Sequence, residues 1–162
     1  MPRKNRRLIP LSWEHHHGLL LVWRIRRGLE RATAPEVLRR YLIRFWDQYI
    51  QPHFETEETT LLPLLPPLVS NEENDVDRLR QDHREIRDLV DALRRETAPE
   101  PCLAYTRTFA DKLERHIRFE ERDIFPLAER TIPPDSLDVL DRRLHAQFRR
   151  VVEDVEGPDF WT

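Results

Sequence analysis

Two histidines of the chain are each followed four residues later by a glutamate. His53 precedes Glu57, and His116 precedes Glu120. Both pairs open the pattern H-x-x-x-E-E-x-x-Φ-Φ-P-L, in which Φ is apolar, at residues 53–64 and 116–127. Residues four apart lie on one face of a helix, so the imidazole and the carboxylate of each pair can reach a single metal ion. Repetition of the whole pattern supports a metal site far more strongly than one pair would.

A second matched segment lies upstream of each pair. Residues 11–15 and 79–83 both read L-x-x-[DE]-H and end in a histidine. The candidate metal ligands in chain order are therefore His15, His53, Glu57, His83, His116 and Glu120. Burying two carboxylates among four imidazoles would be costly without a cation, whereas a metal ion makes the same arrangement favourable. A helical bundle that needs no metal is the structural alternative.

Three consecutive histidines, residues 15–17, compete for the first ligand position. The apolar side of their helix is marked by Leu11, Val22, Ile25 and Leu29. A helical wheel turning about 100° per residue puts His15 near the centre of that side, His16 about 120° away and His17 on the far side. Alignment with His83 in the repeat also favours His15, and His16 remains the alternative. His145 has no counterpart in the repeat, so we expect it to be packed or exposed.

Prolines and short polar clusters divide the chain into five predicted helices. They cover about residues 12–31, 35–62, 72–96, 102–130 and 135–155. We expect Ser12 to cap the first helix, and Pro52 to kink the second or shift its register. The internal repeat predicts two helical hairpins related by a pseudo-twofold axis, packed as an all-α four-helix bundle with an additional C-terminal helix.

Composition agrees with one helical domain. The 162 residues suffice for a core, and charged residues at 35% are typical of amphipathic helices. We predict a basic N-terminal tail at residues 1–10, the bundle at 11–130, and the C-terminal helix and tail at 131–162. The net charge of −3 argues against nucleic acid as a partner, and no apolar run is long enough for a membrane span. Cys102 is the single cysteine, which favours a reducing, cytoplasmic location.

Several neighbours of the candidate ligands could also take part in the same site. Glu58 and Glu121 follow the two ligand glutamates and lie about 100° around the helix from them. We expect each to be a solvated flank or an acceptor for an imidazole N–H, with ligation of the metal as the less favoured alternative. Trp46 and Tyr49 lie two turns and one turn before His53, where they can wall the site or simply pack.

These residues resemble the hemerythrin-like HHE cation-binding family. The resemblance covers about residues 8–130 and rests on the L-x-x-[DE]-H openings and the twin H-x-x-x-E-E-x-x-Φ-Φ-P segments. It implies an up-down-up-down bundle around a non-haem di-iron centre with an oxo or hydroxo bridge. Carried over by motif, the ligands would be the six residues named above, and Glu57 and Glu120 would bridge the two metals.

Two departures separate the chain from the oxygen-carrying hemerythrins. Those carriers have a second histidine one helical turn after the third-helix ligand, where this chain has Arg87, which stays protonated and cannot ligate. They also end with an aspartate ligand five residues after the final histidine, whereas Glu120 lies four residues after His116. The pattern is closer to members with four histidines and two glutamates, which are implicated in responses to nitric oxide, oxygen or iron.

The implied ligand set leaves room for a small ligand. Four imidazole nitrogens, two bridging carboxylates and one bridging oxygen fill ten of the twelve positions of two octahedral ions, so one position per metal stays open for O₂, NO or peroxide. We therefore expect a di-iron protein that binds or senses O₂ or NO or handles iron, with zinc or manganese less favoured. The alternative is a di-iron enzyme acting on peroxide or NO, or an iron-donating repair protein.

Overall fold

The computed structural model describes residues 8–65, 71–148 and 160–161, and this part of the chain forms five helices and no strand. Helix α1 spans Ile9–Glu30. Helix α2 is a continuous series of five segments, Pro35–Phe45, Trp46–Ile50, Gln51–Thr56, Glu57–Leu61 and Leu62–Leu64. Helix α3 spans Asn71–Arg95, and α4 consists of Pro99–Phe119, Glu120–Ile124 and Phe125–Thr131. Helix α5 spans Pro134–Phe148. The prediction of an all-α bundle with an additional C-terminal helix is confirmed.

Two helices begin three residues earlier than predicted. Helix α1 starts at Ile9, so that Ser12 lies inside the helix and is not its cap, and α4 starts at Pro99 where Cys102 was expected. In both helices a proline occupies the first turn, Pro10 in α1 and Pro99 in α4. The first turn has no use for the N–H that proline lacks, so the helix extends back through it. Of the predicted tail, residues 1–7 lie outside the described residues, as does the predicted end of α5 near residue 155.

Two apolar clusters fill the bundle, one toward each end. One cluster includes Leu21 and Ile25 of α1 with apolar side chains of α2, α3 and α4. The other contains Leu8 and Leu11 at the start of α1 and is covered by three leucines of α5, namely Leu137, Leu140 and Leu144. His15 lies between these two stretches of α1, and it is buried. A polar layer is therefore enclosed between two apolar ones.

Three π-helical turns interrupt α2 and α4, at Trp46–Ile50, Glu57–Leu61 and Glu120–Ile124. Each turn closes with a bond from an N–H to the carbonyl five residues back, and each donor directly precedes a proline, namely Pro52, Pro63 or Pro126. Proline lacks an N–H, and its ring collides with the carbonyl four residues back in an α-helix. One extra residue in the turn accommodates it. The predicted register shift at Pro52 is confirmed.

The outer faces of the helices carry the charged side chains. Arg26 of α1 pairs with Asp111 and Glu114 of α4 at 2.9 Å and 2.7 Å. Arg94 of α3 pairs with Asp47 of α2. Exposed pairs of this kind contribute about 0–1 kcal/mol each, so they add little to the packing energy. Within the described residues, no helix has the length and apolar character needed to cross a membrane.

Two aromatic residues near the C-terminus anchor the chain against α1 and α2. The rings of Phe160 and Trp161 lie 5.0 Å and 5.3 Å from the ring of Tyr41, centroid to centroid. The guanidinium of Arg24 lies 4.2 Å from the Trp161 ring centroid. Gly28 leaves the room for this contact, since a Cβ there would lie 2.8 Å from a Phe160 ring carbon. The anchor lies toward the opposite end of α1 from the leucines of α5.

Substitution of Trp161 tests this anchor. Trp161→Ala removes the aromatic contacts with Tyr41 and Phe160 and the cation–π contact with Arg24, so we expect the free energy of unfolding to fall by about 1–2 kcal/mol. Urea unfolding followed by circular dichroism measures the change. Trp23→Ala is the matched control, because Trp23 is 50% exposed on α1, and it should cost about 0.5 kcal/mol or less. Equal effects of the two substitutions would contradict the anchor.

Candidate metal centre

The structure brings the six predicted ligand residues together in the buried polar layer. All six are at most 5% exposed. Their candidate ligand atoms form two groups, and within each group the atoms lie within 4.8 Å of one another. One group is His15, His53, Glu57 and Glu120, and the other is Glu57, His83, His116 and Glu120. Because both glutamates belong to both groups, the layer offers two adjacent cation positions that share two carboxylates.

In the first group, histidines of α1 and α2 approach the shared glutamates. His15 Nε2 lies 3.1 Å from Glu120 Oε2 and 3.9 Å from Glu57 Oε1. His53 Nε2 lies 3.3 Å from Glu57 Oε1, one helical turn away on α2. The helical spacing of four residues therefore sets the His53–Glu57 pair, and the packing of α1 adds His15.

The second group repeats this arrangement with α3 and α4. His83 Nε2 lies 3.3 Å from Glu57 Oε2, and His116 Nε2 lies 3.2 Å from Glu120 Oε2. The two Nε2 atoms of His83 and His116 are 3.2 Å apart. All four histidines of the layer thus direct the same ring nitrogen inward.

The outer ring nitrogens of two histidines meet the second glutamates of the repeated motif. His15 Nδ1 lies 2.9 Å from Glu121 Oε1, and His83 Nδ1 lies 2.7 Å from Glu58 Oε1. Of the roles expected for Glu58 and Glu121, the structure shows that of an acceptor for an imidazole N–H. Both contacts join neighbouring helices, α4 to α1 and α2 to α3.

The other two histidines face acidic residues whose role sequence reasoning missed. His53 Nδ1 lies 2.6 Å from Glu14 Oε2, and His116 Nδ1 lies 3.7 Å from Asp82 Oδ2. Glu14 and Asp82 occupy the [DE] position of the two L-x-x-[DE]-H segments. The repeat therefore already marked these two acidic residues. Each of them, however, contacts a histidine on the next helix and not the histidine that follows it in sequence.

The outer carboxylates that contact His15, His53 and His83 determine which nitrogen of these rings carries the proton. Partial burial acts to raise the pKa of Glu58, but hydrogen bonds from Arg87 and His83 outweigh it and hold the pKa below its usual value. An ionised carboxylate can only accept, so the Nδ1 that faces it carries the hydrogen. In the neutral ring Nε2 then presents a lone pair to the layer, as a metal ligand does.

Most of the inward-facing atoms of the layer lack hydrogen-bond partners among the described residues. Six such buried atoms make no hydrogen bond there: Nε2 of His15 and of His53, and both carboxylate oxygens of Glu57 and of Glu120. An unsatisfied buried polar group costs about 1–3 kcal/mol, and more when it is charged. Lone pairs and carboxylate oxygens that converge without donors fit a cation, so the donor set suits a metal.

The negative charges of the two shared glutamates also repel each other. Burial raises the pKa of Glu120 well above its usual value, and the charge of Glu57 raises it further. Burial acts in the same direction on Glu57, but His53 and His83 outweigh it and hold the pKa of Glu57 well below its usual value. Two adjacent buried carboxylates cannot both ionise readily unless a cation lies between them.

Comparison with protein families agrees with this geometry. The family model of the hemerythrin HHE cation-binding domain matches residues 11–128. The chain belongs to this family. The match begins at the first L-x-x-[DE]-H segment and ends just after the second Φ-Φ-P-L, so it includes all six residues of this HHE domain's buried layer. No curated protein and no solved structure matches the chain.

The remaining candidate residues of the HHE domain lie outside the buried layer. His16 is exposed, and the ring of His17 lies 5.5 Å from the ring of Tyr49. His145 on α5 is exposed and lies 3.1 Å from Asp141. Trp46 packs in the apolar core, where its ring meets those of Phe54 and Phe109. The structure therefore brings His15, and not His16, into the layer, and it gives Trp46 a packing role.

Substitution of Glu14 tests whether the outer carboxylates support a metal. We expect Glu14→Ala to weaken metal binding by about 10–100-fold, because the His53 ring loses the acceptor that orients it. Competition with a chelator measures the affinity. Glu55→Ala is the control, since Glu55 is exposed on the same helix as His53 and bonds Gln51. Unchanged affinity in Glu14→Ala would show that this carboxylate has no such role.

Metal loading should also raise the thermal stability of the HHE domain. A cation that binds the folded chain alone at 100 times its Kd stabilises it by about 2.7 kcal/mol, and here it would also relieve the conflict between Glu57 and Glu120. Differential scanning calorimetry with and without Fe²⁺ or Zn²⁺ measures the shift of the unfolding midpoint. His145→Ala should show the full shift. An unshifted midpoint at saturating metal would argue for a bundle that needs no cation.

Proposed function

We propose that this HHE domain holds two iron ions and uses them to bind or sense O₂ or NO, or to handle iron. The observation that supports it is the pair of overlapping ligand groups that share Glu57 and Glu120. A single structural zinc site would need only four closed ligands, whereas this layer offers six residues. Mixed imidazole and carboxylate donors suit iron, and the family is one of cation-binding domains.

Bound iron would supply open coordination positions and a reversible change of oxidation state. The chain itself supplies orientation and exclusion of water. The His83 ring stacks on Phe54 at 3.8 Å with an interplanar angle of 7°, and the His15 ring stacks on Phe125 at 5.1 Å and 5°. These phenyl rings hold the imidazole planes and keep the surroundings apolar. The bound ions would thus lie in a dry, rigid pocket.

An open groove of about 590 Å³ lies between α1 and α4, is lined by His15 and Glu121, and has Leu19 and Ile117 in its walls. A diatomic ligand or peroxide is far smaller than this volume. The groove therefore supports a small-molecule ligand, which would approach along the α1 side of the layer.

A second candidate function is a di-iron enzyme that turns over peroxide or NO, or an iron-donating repair protein. The observation that favours it is Arg87, which stands one helical turn after His83 and binds Glu58, so that α3 contributes one ligand and not two. Fewer protein ligands leave more room for reactants. Turnover of peroxide or NO by the iron-loaded protein, above that of free iron, would favour the enzyme.

Metal content decides whether the layer is a di-iron site. We expect two irons per chain after purification from iron-supplemented cells without chelator, together with near-ultraviolet absorption of ferric iron. His53→Ala and His116→Ala each remove one inward-facing nitrogen, so each should lower the iron content by about one per chain. Elemental analysis with an absorption spectrum measures both.

His16→Ala is the matched control for these two variants, because His16 is an exposed neighbour of His15 and should leave the iron content unchanged. One zinc per chain, or iron content unaffected by either histidine variant, would refute the di-iron proposal.

A further inference from the structure

A guanidinium lies next to the buried layer on α3. Arg87 Nη1 and Nη2 donate to Glu58 Oε1 and Oε2 at 2.8 Å and 3.0 Å. The same Oε1 accepts the hydrogen of His83 Nδ1 at 2.7 Å. Glu58 thus lies on α2, and two groups of α3 hold its carboxylate: the Arg87 guanidinium and the His83 ring N–H. The contacts form a continuous chain from the surface to the buried Nε2 of His83.

Stacking alone cannot fix the orientation of the His83 ring. The ring lies 3.8 Å from the Phe54 ring at 7°, which sets its plane. A half-turn of the ring keeps that plane and exchanges its two edges, so Phe54 accepts either orientation. The hydrogen bond to Glu58 distinguishes them, because it requires Nδ1 to point outward. Glu58 therefore determines that Nε2 points inward.

Glu58 itself needs a second contact to stay in place. Its side chain is 33% exposed, so water competes for its carboxylate, and a glutamate ordered by one bond alone gives up considerable rotamer entropy. Arg87 holds both carboxylate oxygens at once, and a two-point contact fixes direction as well as distance. The guanidinium also lies 5.8 Å from the Phe54 ring centroid. Arg87 and Phe54 together enclose the outer side of His83.

The residue that corresponds to Arg87 in the other half of the bundle cannot form the same clamp. The residue four after His15, which matches Arg87 in the internal repeat, is Leu19. The pseudo-twofold symmetry of the ligands is therefore broken just outside them.

We propose that Arg87 is a positioning residue: through Glu58 it fixes which nitrogen of His83 faces the layer, and so sets metal affinity at the His83–His116 position alone. The affinity part rests on the proposed metal-binding function, whereas the orientation of the ring does not. Arg87→Gln removes both the positive charge and the planar pair of N–H donors that contacts the two oxygens of Glu58. Arg87→Lys keeps the charge but cannot hold both oxygens in a planar fork.

Nuclear magnetic resonance of the metal-free full-length protein tests the orientation. Ring ¹⁵N shifts report the tautomer of each histidine, and the Nδ1 proton of His83 should exchange slowly in the wild type. Both Arg87 variants should lose the slowly exchanging His83 signal and keep that of His53, which serves as the internal control. Arg84→Gln should change neither, because Arg84 is exposed on α3 and bonds Gln81.

Fe²⁺ titration against a competing chelator, without oxygen, tests the affinity. We expect both Arg87 variants to bind one ion about 10–100-fold more weakly and the other as the wild type does. A wild-type His83 signal in both variants would overturn the clamp. A wild-type signal in Arg87→Lys together with a lost signal in Arg87→Gln would also overturn it, because a positive charge alone would then suffice to hold Glu58. Equal weakening of both ions would overturn the one-sided effect. Failure of the wild type to bind Fe²⁺ refutes the metal-binding function, an outcome separate from an unchanged His83 signal.

Discussion

Glu57 and Glu120 lie together in the middle of the bundle with no solvent exposure, and the repulsion between their carboxylates is the constraint that governs the surrounding structure. Two such groups remain buried only if positive charge or strong donors compensate them. The four imidazoles surround them, and an apolar cluster packs on either side of the layer. The stability of the layer therefore depends on its centre, and a cation is the component best suited to that centre.

The outer carboxylates show that the layer also fixes the helices. Glu14 joins α1 to α2, Glu58 joins α2 to α3, and Glu121 joins α4 to α1. Asp82 faces His116 from α3 to α4 at 3.7 Å, the longest of the four contacts. The contacts form a closed ring around the bundle, with one carboxylate and one imidazole at each junction. The arrangement of the helices and the orientation of the histidines are thus set by the same side chains.

The local part of this structure could be predicted from the sequence. The spacing of His53 and Glu57, and of His116 and Glu120, fixes a shared helix face, and the internal repeat selects His15 over His16. The predicted starts of α1 and α4 were wrong by three residues: Ser12 was expected to cap α1, and the prolines before Cys102 were expected to precede α4. In both helices a proline instead lies in the first turn.

The partners of the outer carboxylates could not be predicted, because each contact crosses from one helix to another. No local pattern predicts that Glu14 contacts His53 and not its neighbour in sequence, His15. The clamp of Arg87 on Glu58 likewise depends on the packing of α3 against α2. The π-helical turns could be predicted only in part: Pro52 lies inside a predicted helix and so indicates a register shift, whereas Pro63 and Pro126 lie near predicted helix ends, where a proline can equally mark the end of the helix.

The sharing of Glu120 between both ligand groups has a consequence for synthesis of the chain. A polypeptide emerges from its N-terminus, so α1 and α2 are complete while α4 is still being made. Neither ligand group is complete until Glu120 arrives, because each contains that residue. A chain that ends before α4 therefore lacks a ligand of each group, so both cation positions of the proposed site would become complete only when the last helix of the bundle has docked.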